Sequence, residues 1–306
     1  MKEKIKTYLL IMPRWFALPA ALTAIALGGI LANGITWQVV VAMVAGTMIM
    51  IGGHYYNSWA DWLYGLDRGA PASVEKWYTG ASLAISAGLT TIRETLIGWI
   101  ICYVISAILV GWICLSIGSA WPWLGWGIGV TTATIYSPGF CKGVKALGFP
   151  EYCGIGGFGI GGCLIGYTAS CGLVSFTPVI CGIAISLFWG LSWAPDQFPD
   201  AESDYKKGIR NLGTIIAITK FPLGVYYLPA MLFAYMFQIF VINLGYLSAW
   251  TFLSALALPL FTLGAIWLTK GQDNPAGADF EKGVKYALLG IFLAMILVVV
   301  GQLIGG

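Results

Sequence analysis

The placement of the ionic residues constrains this chain most. Hydropathy marks nine apolar stretches long enough to cross a bilayer, at about 14–33, 35–56, 94–117, 119–137, 153–174, 176–196, 221–244, 247–269 and 284–304. The connections after the first, third, fifth and seventh are Ala32-Asn33-Gly34, Ile117-Gly118-Ser119, Val174-Ser175 and Gly245-Tyr246, and none carries a charge. All 16 Lys and Arg and all 13 Asp and Glu fall at the N-terminal end, or in and at the edges of the connections after the second, fourth, sixth and eighth stretches. A wrong count of spans would scramble this alternation. The pattern predicts an all-α polytopic membrane protein of nine transmembrane helices in a single bundle, with every ionic residue on one side. The Lys and Arg excess puts that side in the cytoplasm, so the N-terminus is expected inside and the C-terminus outside a cell membrane.

Composition closes the other routes. Apolar types make up 58% of the 306 residues and charged types 9%, against about 45–50% and 25% in soluble domains. A water-soluble enzyme and a disordered chain are excluded. A net charge of +3 from so few ionic residues excludes a nucleic-acid binder. Seven scattered Cys without a C-x-x-C pair exclude a disulfide scaffold. No composition shift marks a second domain, so residues 1–306 read as one transmembrane domain. Residues 1–12 read as a short interfacial segment held by lysines, not as a cleavable signal. No obligatory protein partner is evident beyond the lipid bilayer.

The acids concentrate after the second and sixth stretches. Asn57 and Asp61 are four apart and share a face on a helix. Gly65 lets that helix end and lets Asp67 turn back towards the same face. Asp196, Asp200 and Asp204, spaced by four, are also expected on one helical face, with a kink at Pro195 and Pro199. Like charges at this spacing repel unless a cation sits between them. Carboxylate and amide oxygens without Cys suit Mg²⁺ better than Zn²⁺, and Mg²⁺ usually adds substrate phosphate oxygens to a few carboxylates. Arg68, Lys76, Lys142, Lys145, Lys206, Lys207 and Arg210 are placed to meet phosphate. The spacing points to a magnesium-diphosphate site in a membrane enzyme acting on a lipid diphosphate.

These two motifs resemble those of the UbiA superfamily of intramembrane prenyltransferases. Asn57 and Asp61 match the start of that family's first motif, and the Asp61-x-x-x-Gly65-x-Asp67 form is similar to the menaquinone branch. Asp200, Asp204 and Gly208 match the second motif, and Asp196 adds an acid one turn earlier. Tyr136, Ser137, Lys142 and Lys145 sit where the family has a basic, tyrosine-containing loop. The chain departs from the family at Ser58, where many members have Asp, at Glu75–Gly80 and at Ile209–Leu212. The resemblance implies transfer of a polyprenyl group from polyprenyl diphosphate to an aromatic acceptor, 1,4-dihydroxy-2-naphthoate. Asn57, Asp61, Asp67, Asp196, Asp200 and Asp204 would hold Mg²⁺. Arg68, Lys76, Lys142, Lys145, Lys207 and Arg210 would hold the diphosphate. His54 and Tyr136 would meet the acceptor.

Other readings stay open at this stage. The same chassis could use 4-hydroxybenzoate, a glycerol-phosphate ether lipid, haem or a chlorophyll precursor as acceptor. A cation-coupled transporter would need acids within the spans and inverted halves, whereas motif two repeats motif one in parallel, four spans later. Tyr55, Tyr56, Trp59, Trp62, Tyr64, Trp77 and Tyr78 read mostly as an interfacial aromatic belt, one or two of which could face an allylic cation. The run Gly154–Gly162 lacks the Lys-Ser/Thr end of a phosphate loop and reads as close helix packing. Cys102, Cys114, Cys163, Cys171 and Cys181 read as apolar filler.

Overall fold

The computed structural model describes residues 12–67, 84–137, 144–145 and 151–306, and all regular structure among them is helical. Arg68, Lys76 and Lys142 lie outside the described residues, as does nearly all of the N-terminal segment. The principal helices are α1 (Trp15–Ala32), α2 (Trp37–Leu63), α3 (Ile92–Ile117), α4 (Pro122–Ile135), α5 (151–171), α6 (Thr177–Gly190), α10 (Leu223–Asn243), α11 (Ala249–Gly271) and α12 (Ala278–Gly305). Three short helices, α7 (Trp193–Gln197), α8 (Ala201–Lys206) and α9 (Leu212–Thr219), fill the connection between α6 and α10.

Among the described residues, six helices are long and apolar enough to cross a membrane: α1, α2, α3, α10, α11 and α12. This is a multi-pass membrane protein. α4 and α6, at 14 residues each, are shorter than the expected fourth and sixth stretches. α5 is π-helical over Ile155–Gly161, inside the glycine run, and α-helical on either side.

Local chemistry sets the helix ends. The Thr36 hydroxyl accepts from the Val39 amide at the start of α2. Thr91 and Glu94 form a capping box at the start of α3, and Gly118, at φ 66°, ends that helix in the left-handed region. α2 runs seven residues past its expected end at 56, so Asn57 and Asp61 lie within the helix and not in a loop after it.

The uncharged connections touch one another. The Asn33 amide donates to Ser170 Oγ (3.2 Å), and Ser170 Oγ donates to the Gly34 carbonyl. Ser119 Oγ donates to the Gly172 carbonyl (2.7 Å), and the rings of Phe176 and Tyr246 meet at 6.4 Å. All four therefore gather at one end of the bundle. The outer face of α3 shows Ile97, Ile101, Val104, Ile108 and Leu115, as a lipid-facing helix should.

Lipid gives helices no hydrophobic reason to associate, so close packing carries the bundle. Rings of Phe188, Tyr235, Tyr227 and Phe261 interlock between α6, α10 and α11. On the other side glycine lets backbones meet: a Cβ on Gly166 of α5 would overlap the Ile25 carbonyl of α1. Gly127 of α4 faces open space. Gly166→Ala should therefore destabilise the protein by about 1–3 kcal/mol, the usual range for overpacking. Gly127→Ala should leave the unfolding midpoint in mild detergent unchanged. Equal midpoints for the two variants would contradict this packing.

Candidate active site

At the charged end, α2, α4, α7, α8 and the start of α9 surround a polar pocket with about 470 Å³ of empty space, part of it open to the outside. Asn57, Asp61, Asp67, Tyr136, Lys145, Asp196, Asp200 and Asp204 all line it. Backbone geometry brings them there. Helix α2 stops at Leu63, and Gly65 turns the chain at φ 77°. The Leu66 amide then donates to the Asp61 carbonyl (2.7 Å), which sets Asp67 beside Asp61. The expected continuous helix through Asp196, Asp200 and Asp204 is broken instead. α7 ends at Gln197, and Asp200 stands at the N-terminus of α8 after a turn that contains Pro199. Proline has no amide hydrogen to continue the helix. The three acids still reach one pocket.

Asp61 is buried, and its Oδ2 is held twice. Asn57 Nδ2 donates to it at 2.9 Å, and Lys145 Nζ pairs with it at 2.8 Å. Asn57 Nδ2 also lies 2.7 Å from Ser137 Oγ. Asn211 Nδ2 donates to Asp204 Oδ2 at 3.4 Å. Lys207 Nζ donates to the Leu66 carbonyl, so the turn of motif one and the end of motif two are tied directly. The Arg210 amide donates to the Lys145 carbonyl (3.0 Å), while the Arg210 guanidinium lies over the Tyr205 ring and is turned away from the acids. Lys145 also stands 4.8 Å from the centre of the Tyr136 ring.

Asp61 Oδ1 and Asp200 Oδ1 are shielded from solvent and have no hydrogen-bond partner among the described residues. A buried unpaired carboxylate oxygen is costly, and a hard cation satisfies it. Among the described residues no three His, Cys, Asp or Glu converge closely enough to ligate one ion by themselves.

A second, apolar cleft adjoins this pocket and encloses about 1150 Å³, part of it open. Asn57, Tyr136, Asp196 and Gln197 line both, so the two adjoin across these side chains. His54 lies on the cleft wall, and its Nε2 is shielded and has no hydrogen-bond partner among the described residues. The aromatic wall comes from Phe16, Phe158, Trp189 and Trp193. Of the aromatics around motif one, the described ones line neither space; Tyr56 and Trp59 pack outward against Trp99 of α3. They sit on the α2 face that α3 covers.

Residues 15–301 match the family model of the UbiA prenyltransferases. The chain belongs to the UbiA prenyltransferase family. It is an enzyme of prenyl transfer. Solved structures with the same fold include an apo UbiA homologue from Aeropyrum pernix K1, with a TM-score of 0.69 at 17% identity over 97% of this chain and 98% of that one. A structure described as giving insight into digeranylgeranylglyceryl phosphate synthase in membranes has a TM-score of 0.61 at 18% identity, covering 99% of both chains. A UbiA homologue from Archaeoglobus fulgidus bound to DMAPP and Mg²⁺ has a TM-score of 0.59 at 16% identity over 93% and 99%. No curated protein sequence matches the chain.

Sequence reasoning named Ser137 only as part of a loop and gave no role to several other residues of this UbiA pocket. Ser137 and Asn211 hold Asn57 and Asp204, and Gln197 lines both spaces. Glu151, at the start of α5, lines the cleft and accepts from the Leu212 amide at 3.0 Å. Asn211 announces itself only as the N-cap of α9, where its side chain accepts from the Thr214 amide.

The charges in the pocket raise one another. Burial first, then the negative charge of Asp61, pushes Asp67 up to about 8, against a partial counter-effect of Lys145. Burial pushes Asp204 up to about 6, with Lys145 opposing and Asp61 adding. Burial, Asp204 and Asp196 push Asp200 well above the usual carboxylate range. Burial works against the charge of Lys145, but Asp61, Tyr136 and Asp204 together outweigh it and the ammonium is held charged.

Between the ordinary carboxylate value and these raised values, the folded state binds more protons than the unfolded one. Stability must then fall as pH rises through this window. In EDTA the melting temperature should drop from pH 5.5 to pH 8. Added Mg²⁺ should raise it more at pH 8 than at pH 5.5. A metal-free protein that is most stable at pH 8 would contradict this electrostatic picture.

Proposed function

We propose that this chain transfers a polyprenyl group from polyprenyl diphosphate to an aromatic acceptor in a Mg²⁺-dependent reaction at the cytoplasmic face of the cell membrane. The acceptor we assign is 1,4-dihydroxy-2-naphthoate, prenylated on the ring, as in menaquinone-type quinone biosynthesis. The observation that carries the reading is the junction at Asn57, Tyr136, Asp196 and Gln197, where a pocket of facing carboxylates opens into an apolar cleft. A diphosphate headed by an isoprenoid needs both spaces in that order. The UbiA homologue bound to DMAPP and Mg²⁺ supports the donor and the metal.

In this reading Asp61 and Asp200, with Asn57, Asp67, Asp196 and Asp204 beside them, hold Mg²⁺. Bound there, the metal would neutralise the diphosphate and stabilise it as it leaves. Lys145 and Lys207 add positive charge at the pocket; Arg68, Lys76 and Lys142, which the family resemblance gives the same role, lie outside the described residues. The guanidinium of Arg210 must leave the Tyr205 ring to take part. The apolar cleft keeps water from the allylic cation that forms as the carbon–oxygen bond breaks. The electron-rich acceptor carbon attacks that cation, the group it carried (a proton, or the carboxylate as CO₂) leaves so that the ring regains aromaticity, the diphosphate departs with the electrons of the broken carbon–oxygen bond, and His54 or Tyr136 orients the acceptor hydroxyl. The Asp61-x-x-x-Gly65-x-Asp67 form supports the naphthoate over the other acceptors.

The topology belongs to the proposal. The chain crosses the membrane nine times, with the N-terminus inside and the C-terminus outside. Cysteine placed at Lys207 should then label only from the cytoplasm and cysteine at Gly118 only from the outside. Labelling of both from one side would contradict it.

For the chemistry, purified protein is incubated with Mg²⁺, labelled geranylgeranyl diphosphate and each acceptor, and products are identified by mass. Asp61→Asn and Asp204→Asn should lower turnover at least ~10²-fold, about 3 kcal/mol of transition-state stabilisation. Full turnover in either variant would reject the metal site. Conversion of a glycerol-phosphate ether lipid or 4-hydroxybenzoate, with the naphthoate untouched, would reject the acceptor alone.

A further inference from the structure

One carboxyl group stands on the wall of the apolar cleft and outside the acid pocket. Of the acids that line the cleft, Asp196 also lines the acid pocket, whereas Glu151, at the start of α5, does not. Glu151 is half-buried, and among the described residues no lysine or arginine pairs with it. Three side chains meet the first three amides of α9. Glu151 Oε1 accepts from Leu212 at 3.0 Å, Gln197 Oε1 from Gly213 at 3.1 Å and Asn211 Oδ1 from Thr214 at 2.8 Å. Glu151 and Gln197 thus reach successive amides, which sets Glu151 beside a residue that lines both spaces. The carboxyl stands at the mouth of the cleft, next to the place where diphosphate and isoprenoid would meet.

Capping alone accounts poorly for a carboxylate at this position. The other two amides are met by neutral amide side chains, and a glutamine would serve Leu212 as Gln197 serves Gly213. A carboxylate withdrawn from water without a cation costs more than an amide does. The positive end of α9 offsets part of that cost. Burial raises the Glu151 pKa above the ordinary carboxylate value, with the Leu212 hydrogen bond opposing. A carboxyl in such surroundings takes up a proton more readily than one in water. An ionised carboxylate offers about four acceptor positions, so Oε1 can hold the Leu212 amide while Oε2 takes a proton. The acids of the pocket are less suited to this part, because each proton they bind weakens their hold on a cation.

We propose that Glu151 is the catalytic base of the transfer and takes the proton of the acceptor hydroxyl as the ring is prenylated. The inference rests on the reading that the chain prenylates an aromatic acceptor, and it adds the group that moves the proton. As the ring carbon bonds to the allylic carbon, the hydroxyl conjugated with it gives its proton to Glu151 Oε2 and becomes a carbonyl. The diphosphate leaves with the electron pair of the broken carbon–oxygen bond. The ring carbon then releases its own proton to the diphosphate, or its carboxylate as CO₂. The electron pair left behind restores the aromatic ring, and the carbonyl oxygen takes its proton back from Glu151. The carboxylate ends the cycle as it began.

The test measures transfer in wild type, Glu151→Gln and Glu151→Ala, with products identified by mass. Glutamine keeps an oxygen for the Leu212 amide and cannot take the proton. Glu151→Gln should lower kcat at least about 10²-fold, the lower end of what a positioned base contributes. With Mg²⁺, its melting temperature should match that of wild type. So should its affinity for geranylgeranyl thiolodiphosphate, which resists cleavage. Glu151→Ala should lower both kcat and the melting temperature, because it also leaves an amide of α9 unsatisfied. Full kcat in Glu151→Gln would overturn the proposal and leave Glu151 as a cap. A loss of thiolodiphosphate affinity as large as the loss of kcat would also overturn it, since the defect would then lie in the metal site.

A second comparison reads the proton itself. A ring-fluorinated acceptor carries a more acidic hydroxyl, which gives up its proton with less help from a base. The deficit of Glu151→Gln against wild type should therefore shrink with the fluorinated acceptor. Acceptor ratios within one preparation are insensitive to the fraction of folded enzyme, so poor folding of the variant does not blunt the comparison. An equal deficit with both acceptors would overturn the proposal. The outcomes also separate it from the transfer reading. No wild-type transfer to any acceptor rejects that reading and the base with it. Normal transfer by both wild type and Glu151→Gln rejects the base alone.

Discussion

Repulsion between carboxylates at one end of an apolar bundle is the constraint on which the site depends. Asp61, Asp67, Asp196, Asp200 and Asp204 share one partly enclosed pocket. Bringing them together is unfavourable by itself, because low-dielectric surroundings strengthen repulsion and remove hydration. The folded chain offsets this incompletely. Lys145 neutralises one acid from within 2.8 Å, and Asn57 and Asn211 donate to two of them. The Oδ1 atoms of Asp61 and Asp200 are left shielded and without a hydrogen-bond partner among the described residues. A small hard cation among these acids would relieve the repulsion, as the proposed Mg²⁺ site requires.

The rest of the fold holds this arrangement in place. Removing a charged end from lipid requires that the opposite end be closed cheaply. The uncharged connections do so with hydroxyl and backbone hydrogen bonds, as between Ser119 and Gly172. Between the two ends the helices must both pack and leave a hollow. Glycine serves both needs on α4 and α5. At Gly125 it brings backbones together, and at Gly129 it leaves room. The π-helical stretch Ile155–Gly161 lies along the same wall and contributes Gly157, Phe158 and Gly161 to the cleft. A catalytic pocket and an apolar tail space thus come from two properties of one bundle: charge sorted to one end, and small residues sorted to one wall.

Much of this was legible in the sequence. The alternation of charged and uncharged connections marked the principal helices, and among the described residues the acids of the two motifs meet at one end of the bundle. The i, i+4 relation of Asn57 and Asp61 appears directly as a 2.9 Å hydrogen bond. The length of α2 was less legible, because Asn57, Ser58 and Asp61 lower local hydropathy while the helix continues. The break after Gln197 was read only as a kink, although Pro199 marks it. Residues supplied from far along the chain left no signal: Ser137 stands 80 residues from its partner Asn57, and Glu151 stands 61 from Leu212. Lys145 could not be singled out from its basic neighbours, because its pairing with Asp61 depends on how the segment after α4 folds back. The aromatics nearest motif one drew attention by proximity in sequence, yet those of the cleft come from α1, α5, α6 and α7.

The central claim is that divalent metal and prenyl diphosphate are held by the same buried acids, so that each requires the other. Isothermal titration of geranylgeranyl thiolodiphosphate into the purified protein, with saturating Mg²⁺ and again in EDTA, tests it directly. Linkage requires that Mg²⁺ raise the affinity for the thiolodiphosphate and that the thiolodiphosphate raise the affinity for Mg²⁺ by the same factor. The account predicts a factor of at least about 100. Equal affinity in Mg²⁺ and in EDTA would contradict it.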